Sequence, residues 1–175
     1  VKIIGLNAFA NHPHLHEINL EKNEIRELKL KAFVNLPNLN RLNFDHNRID
    51  VIEDDTFEAL IKLSELLLRN NSISKLTRGI FKGLGNLKVL NLSFNKLNFL
   101  GDTVFAELWS LQELELEHNQ IDVSRFFPLG TTKVFLLLFI YLSNTFFTGT
   151  VKFSTLFTIS QIDGMNPTKK QNFSH

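Results

Sequence analysis

Apolar residues recur along this chain in a fixed phase. Leu15, Leu39, Leu63, Leu87 and Leu111 follow one another at a constant interval. Three residues after each come Ile18, Leu42, Leu66, Leu90 and Leu114, and two further on Leu20, Phe44, Leu68, Leu92 and Leu116. Apolar residues alternating with polar ones over so short a run predict a strand with one face turned inward. The ninth position is Asn throughout (Asn23, Asn47, Asn71, Asn95, Asn119), and the eleventh is Ile25, Ile49, Ile73, Leu97 and Ile121. In the first four repeats the nineteenth position is Phe33, Phe57, Phe81 or Phe105, and the twenty-second is Leu36, Leu60, Leu84 or Leu108. A partial leading repeat supplies Val1, Ile4 and Phe9, with Pro13 in the phase of Pro37 and His12 where the others place Leu. Columns in register at one period define a repeat protein, whose function is read from the variable positions between the fixed ones.

Each column has a physical reading. Strands stacked about 4.8 Å apart build a parallel sheet on one side of a solenoid. The Asn column turns the chain away from the strand, and its amide can satisfy backbone groups that the bend leaves unpaired. The Phe column fills the wider half of each coil. One repeat cannot bury its apolar face alone, whereas five in a row can.

The pattern L-x-x-L-x-L-x-x-N-x-[IL]-x-x-[LI]-x-x-x-x-F-x-x-L over roughly residues 1 to 123 resembles the 24-residue class of leucine-rich repeat. That resemblance implies an α/β repeat solenoid, a right-handed horseshoe with short parallel strands on the concave face and irregular or 3-10 convex segments. It also implies an extracellular or cell-surface setting. The class includes Toll-type receptors, Slit-like guidance proteins, chaoptin-like adhesion proteins and small leucine-rich proteoglycans. The cysteine-bearing end caps usual in the family are missing from this sequence.

On the concave strands the second, third, fifth, seventh and eighth positions of each repeat are expected to face outward. They hold seven acids (Glu17, Glu21, Asp45, Glu65, Glu113, Glu115, Glu117) and four bases (Lys22, Arg41, Arg69, Lys88). This face is therefore negative, while the whole chain carries a formal charge of +1, so the basic excess lies on the convex side, the edges and the tail. Glu113, Glu115 and Glu117 alternate and form an acidic cluster suited to a basic partner, or to keeping the array soluble. Leu67, Val89 and Phe94 form a small apolar exception rimmed by charge, the composition of a protein-binding hot spot. With Arg69 these residues make up the candidate ligand-binding face.

Other chemistry is sparse. The chain has no cysteine, which excludes disulfides, thiolate metal sites and cysteine nucleophiles. His12, His14 and His16 straddle Pro13 and share only Glu17 as a neighbouring carboxylate, too little for a metal site. No phosphate-binding loop, nucleophile elbow or acid–base pair is present, so no catalysis, cofactor or metal is expected. Nor is nucleic acid expected as a partner. Asn-x-Ser sequons begin at Asn70, Asn91 and Asn172. Asn70, at the strand edge, is the candidate glycan site; a glycan on Asn91 would obstruct the binding face.

After Ile121 the grammar fails: Ser124, Leu129 and Thr132 replace the expected Leu, Phe and Leu. Residues 134 to 151, VFLLLFIYLSNTFFTGTV, carry no charge. Three readings compete there: a degenerate sixth repeat, a short membrane-spanning helix that would anchor the repeats outside a cell, and a tail foreign to the domain. The domain division is thus 1–133 for the array, its fifth repeat degenerate, and 134–175 for a hydrophobic segment with a disordered tail. Val1 falls in mid-repeat, which reads as a missing N-terminal part. The expected function is non-catalytic recognition of a protein, basic if the acids make the contact, by a fragment of a cell-surface receptor or adhesion protein. The alternatives are a secreted matrix-organising protein and an intracellular scaffold.

Overall fold

A computed structural model describes residues 1–101 and 103–121, and the backbone of 151–152. Each repeat contributes one three-residue strand in phase with its neighbours: β1 (Glu17–Asn19), β3 (Arg41–Asn43), β5 (Glu65–Leu67), β6 (Val89–Asn91) and β7 (Glu113–Glu115). They pair in parallel without slippage, so that Ile18, Leu42, Leu66, Leu90 and Leu114 form one inward row. A one-residue slip would turn that row out to solvent, which is why the constant period fixes the register. Two shorter strands, β2 (Glu27–Leu28) and β4 (Val51–Ile52), form a second parallel sheet on the chain's way down from the first. The short strand β8 (Val151–Lys152) pairs antiparallel with β7, placing Lys152 opposite Glu113. The three readings of 134–151 otherwise lie outside the described residues. Among the described residues no helix is long and apolar enough to cross a membrane.

The core runs through the middle of the coils. Apart from the half-buried Leu15 and Leu20, the Leu columns, the Ile25 column and Phe33, Phe57, Phe81 and Phe105 are almost wholly buried, at roughly 1.5–3 kcal/mol per large apolar side chain removed from water. Phe33 stacks on Phe9 at 5.9 Å between ring centres and on Phe57 at 6.2 Å, and Phe81 stacks on Phe105 at 5.8 Å. On the convex side the chain returns as successive i to i+3 turns, such as Leu60 N–H to the Phe57 carbonyl and Leu84 N–H to the Phe81 carbonyl. These turns stand where the sequence led us to expect irregular or 3-10 segments.

The Asn column links the coils. The Asn71 amide nitrogen donates to the carbonyls of Phe44 in the preceding repeat, Leu68 and Arg69, at 3.0 to 3.2 Å. Its oxygen accepts the Ile49 N–H at 2.9 Å. Asn47, Asn95 and Asn119 repeat the same set. The residue just before each Asn (Lys22, His46, Asn70, Phe94, His118) takes a left-handed backbone with φ between 53° and 57°. Side chains other than Gly and Asn enter that region at a cost of about 1–2 kcal/mol, and here the ladder holds them in it.

Gly83 has φ +82°, and a Cβ there would stand 2.3 Å from the Glu58 carbonyl oxygen of the previous coil. Both the backbone and the space require glycine. Gly83→Ala should therefore lower stability by about 2 kcal/mol or more. Urea unfolding checks this. A change under about 0.5 kcal/mol, the range of an ordinary surface substitution, would show that the coils can separate freely at this turn.

Candidate functional site

The concave face is narrower than alternation alone implies. Asn43, Asn91 and Ser93 occupy positions expected to face outward, yet they are buried, Ser93 fully so. The reason is local hydrogen bonding. The Asn91 side-chain oxygen accepts both the Ser93 N–H and its hydroxyl, while its amide donates to Glu115 Oε2. Asn19 and Asn43 likewise accept the N–H two residues on, from Glu21 and Asp45. This second Asn column, at the fifth position, escaped the sequence reading. Its signal was an Asn in three of five repeats, Asn19, Asn43 and Asn91.

The described face divides into three regions. At the N-terminal end Arg41 donates from Nη1 to Glu17 at 2.9 Å and from Nε to Glu65 at 2.8 Å. Burial alone would lower the pKa of this guanidinium, but its bonds to Glu65 and Glu17 outweigh that and hold it above its ordinary value. Lys22 pairs with Glu21 at 2.8 Å. Half-exposed pairs of this kind contribute little individually, and Arg41 offsets only one of the two carboxylates it bridges. Three more carboxylates, Glu113, Glu115 and Glu117, alternate on β7 and just beyond it, all half-buried.

At the centre Leu67 and Val89 stand on adjacent strands, diagonal to each other. Val89 lies in register between Glu65 and Glu113, and Leu67 between Asn43 and Asn91. Both are half-buried, so the apolar patch is small. Phe94 lies past the end of β6 at the rim, where the Arg69 guanidinium sits 4.6 Å over its ring and the His118 ring stacks on it at 4.1 Å. Guanidinium, phenyl and imidazole therefore form a three-layer stack, an arrangement that favours the cation over the ring face.

Burial pushes the Asp45 carboxyl above its ordinary value, and the Arg69 N–H, bonded to it at 2.8 Å, does not fully offset this. The folded state therefore holds the Asp45 proton more tightly than the unfolded chain does. The sign follows: stability is lost as pH rises from the usual carboxylate range through the raised value. Asp45→Asn keeps an acceptor for Arg69 N–H. It should raise the melting temperature at pH 7 and flatten its dependence on mildly acidic pH. An unchanged profile would show that Asp45 is solvated after all.

Asn70 is exposed, with its amide nitrogen 2.7 Å from His46 Nδ1. Asn91 is only 8% exposed, which closes it to a glycan in the folded state. Asn172 lies outside the described residues. His12, His14 and His16 are exposed, and His16 Nδ1 lies 3.1 Å from the Asn38 carbonyl. Among the described residues no group of three His, Asp or Glu side chains is placed to hold a metal ion. The largest exposed apolar side chains, including Trp109, Ile61, Phe99 and Ile3, stand off the concave strands.

A leucine rich repeat family model matches residues 13–73 and again 61–121, more than half of the chain. The chain belongs to the leucine-rich repeat family. The leucine-rich repeats of two solved receptor complexes are similar to it. One is the TLR13–ssRNA13 complex, 32% identical over 66% of this chain and 17% of that one, with a TM-score of 0.59. The other is the Toll–Spatzle complex of Drosophila, 24% identical over 75% of this chain and 20% of that one, with a TM-score of 0.56. The second likeness shows the fold alone. This chain spans a fifth or less of the length of either receptor. No curated protein matches it.

Proposed function

We propose that this leucine-rich repeat array is a non-catalytic recognition module from a receptor-type protein, and that it binds a protein ligand on its concave face. The observation that carries this reading is what adjoins on that face. The half-buried Leu67 and Val89 stand in register beside β7, on and just beyond which the carboxylates Glu113, Glu115 and Glu117 alternate. A basic partner with an apolar contact residue suits that combination, since rim charge steers association and a small desolvated centre supplies the affinity. Arg69 and Phe94, stacked at the rim, present a rigid aromatic edge beside it. An extracellular or cell-surface setting belongs to this reading, as the leucine-rich repeat class implies.

The test uses the full chain displayed against an array of extracellular proteins. Glu117→Lys, and separately Leu67→Arg, should each weaken the best ligand at least tenfold without lowering the melting temperature. Unchanged affinity in both would remove the concave face as the site. Single-stranded RNA is the second ligand class to titrate, because one similar receptor is solved with it. The acidic face predicts no saturable RNA binding at physiological salt, and tight binding would replace the protein reading. When the chain is expressed through a secretory pathway, peptide mass spectrometry should find a glycan on Asn70 and none on Asn91. An unmodified Asn70 would favour an intracellular scaffold instead.

A further inference from the structure

Beyond the ion pairs of the concave face, the descending side of the two N-terminal coils carries an opening in the backbone ladder. Between β2 and β4 the ladder is complete: the Arg26 carbonyl accepts from Asp50 N–H at 3.0 Å and Val51 N–H at 3.4 Å, and the Leu28 carbonyl from Glu53 N–H at 2.9 Å. One repeat earlier, the bonds matching those of Val51 and Glu53 would run from the Glu27 and Lys29 N–H groups to the Lys2 and Ile4 carbonyls. Among the described residues these two bonds are not made. The stacking is nevertheless intact on either side, through Glu24 N–H to the Val1 carbonyl at 2.9 Å and Asn7 N–H to the Lys31 carbonyl at 3.0 Å. A cavity of about 490 Å³ occupies the gap. β2 therefore presents an unpaired edge inside a slot, and an unpaired edge is a template for another strand.

The slot also has a sign. Lys2, Arg26, Lys29 and Arg48 line it against two carboxylates, Glu24 and Glu27. Lys2 and Arg48 share Glu24, at 3.5 and 3.3 Å, and Lys29 pairs with Glu27 at 3.0 Å. Arg26 has no ion-pair partner among the described residues. The lining thus carries two cations in excess. Ile3, 78% exposed, gives it an apolar wall.

We propose that this slot takes an extended acidic segment of a partner protein, added as a strand to the edge of β2. Strand addition draws its affinity from main-chain hydrogen bonds and its specificity from alternate side chains. Here the Glu27 and Lys29 N–H groups would donate to the incoming carbonyls. Acidic side chains would face Arg26 and the shared cations, and an apolar side chain would cover Ile3. The chain's own C-terminal segment does not match, because residues 134–175 hold Lys152, Lys169 and Lys170 against Asp163. This proposal is independent of the concave-face reading.

The probe is a fluorescent, end-capped (Glu-Val)4 peptide titrated into the full 175-residue chain at low salt. Saturable binding is expected, with slowed hydrogen exchange at the Glu27 and Lys29 amides. The affinity should fall at least tenfold with Arg26→Glu/Arg48→Glu and with Ile3→Asp. Ile3 is exposed, so that variant keeps the fold even if loss of the Arg48 pair does not, and thermal melts verify both. A copy of the peptide N-methylated at alternate residues should bind at least tenfold more weakly, and (Lys-Val)4 should not bind. The proposal is overturned if no peptide binds, if the N-methylated peptide binds equally well, if Ile3→Asp leaves the affinity unchanged, or if exchange slows on the concave strands instead.

Discussion

Asn71→Ala should lower the stability of the array by about 3–5 kcal/mol, the largest loss expected from any single polar substitution here. The side chain is 7% exposed and bonds two adjacent repeats. Alanine would leave the Ile49 N–H buried without its partner and take one of two donors from each of the Phe44 and Leu68 carbonyls, which keep Asn47 and Asn95. The orphaned N–H costs about 1–3 kcal/mol and each lost bond about 1 kcal/mol. Asn71→Asp should be comparably damaging, since a carboxylate can accept from Ile49 N–H but cannot donate to either carbonyl. Asn23→Ala should cost only about 1 kcal/mol, because Asn23 is half-buried, donates within its own repeat to Leu20 and Glu21, and accepts from the preceding repeat only at the exposed Val1 amino group. Urea unfolding at constant slope separates the two. Equal losses at Asn23 and Asn71 would mean that bonds between repeats contribute nothing beyond the local turn.

Phe57→Ala should cost a similar amount, about 3–5 kcal/mol, through the cavity it leaves. The ring is fully buried and stacks on Phe33. No bulk water can fill an apolar hole of this kind favourably, and the ring lies in the middle of the described coils. Repeat arrays behave as chains of nearest-neighbour couplings, so weakening one interface loosens the units on either side of it. The variant should therefore unfold in two steps, or with a reduced denaturant slope, where the parent unfolds in one. Phe9→Ala, a half-buried position at the N-terminal end, should cost about half as much. A single transition with less than about 1 kcal/mol lost at Phe57, well below the usual cost of an emptied aromatic site, would show that the coils are held by their strands and the Asn ladder alone.

The two effects differ in how far the sequence foretold them. The Phe column could be read directly, because an aromatic once per repeat in phase with leucine has little alternative to a core. The Asn column could be located as easily, but its partners could not. Whether the amide of Asn71 would reach Phe44 or only Leu68 depends on how far apart two coils sit. The candidate face shows the same division. Arg69 and Phe94 belong to different repeats and to different positions within them, and no alternation rule for a strand brings them together. They meet because the residue before each Asn adopts a left-handed turn and swings its side chain to the rim. Counting positions along a flat strand groups Phe94 with Leu67 and Val89, and the structure adds its left-handed backbone and its stacking with Arg69 and His118. Arg41 was counted as one base among four, whereas the structure gives it two carboxylates, in the repeats on either side.

By itself the sequence determined the period, the inward rows, the order of the strands and the sign of the concave face. All of these follow from which side chains avoid water and from a spacing that admits one register. The tertiary structure alone decided which outward positions are open, which charges cancel, that Asn91 is closed while Asn70 is exposed, and that β2 keeps an unpaired edge. Those outcomes depend on distances between repeats, set by how tightly each coil packs on the next, and one repeat's own residues do not encode its neighbour's position.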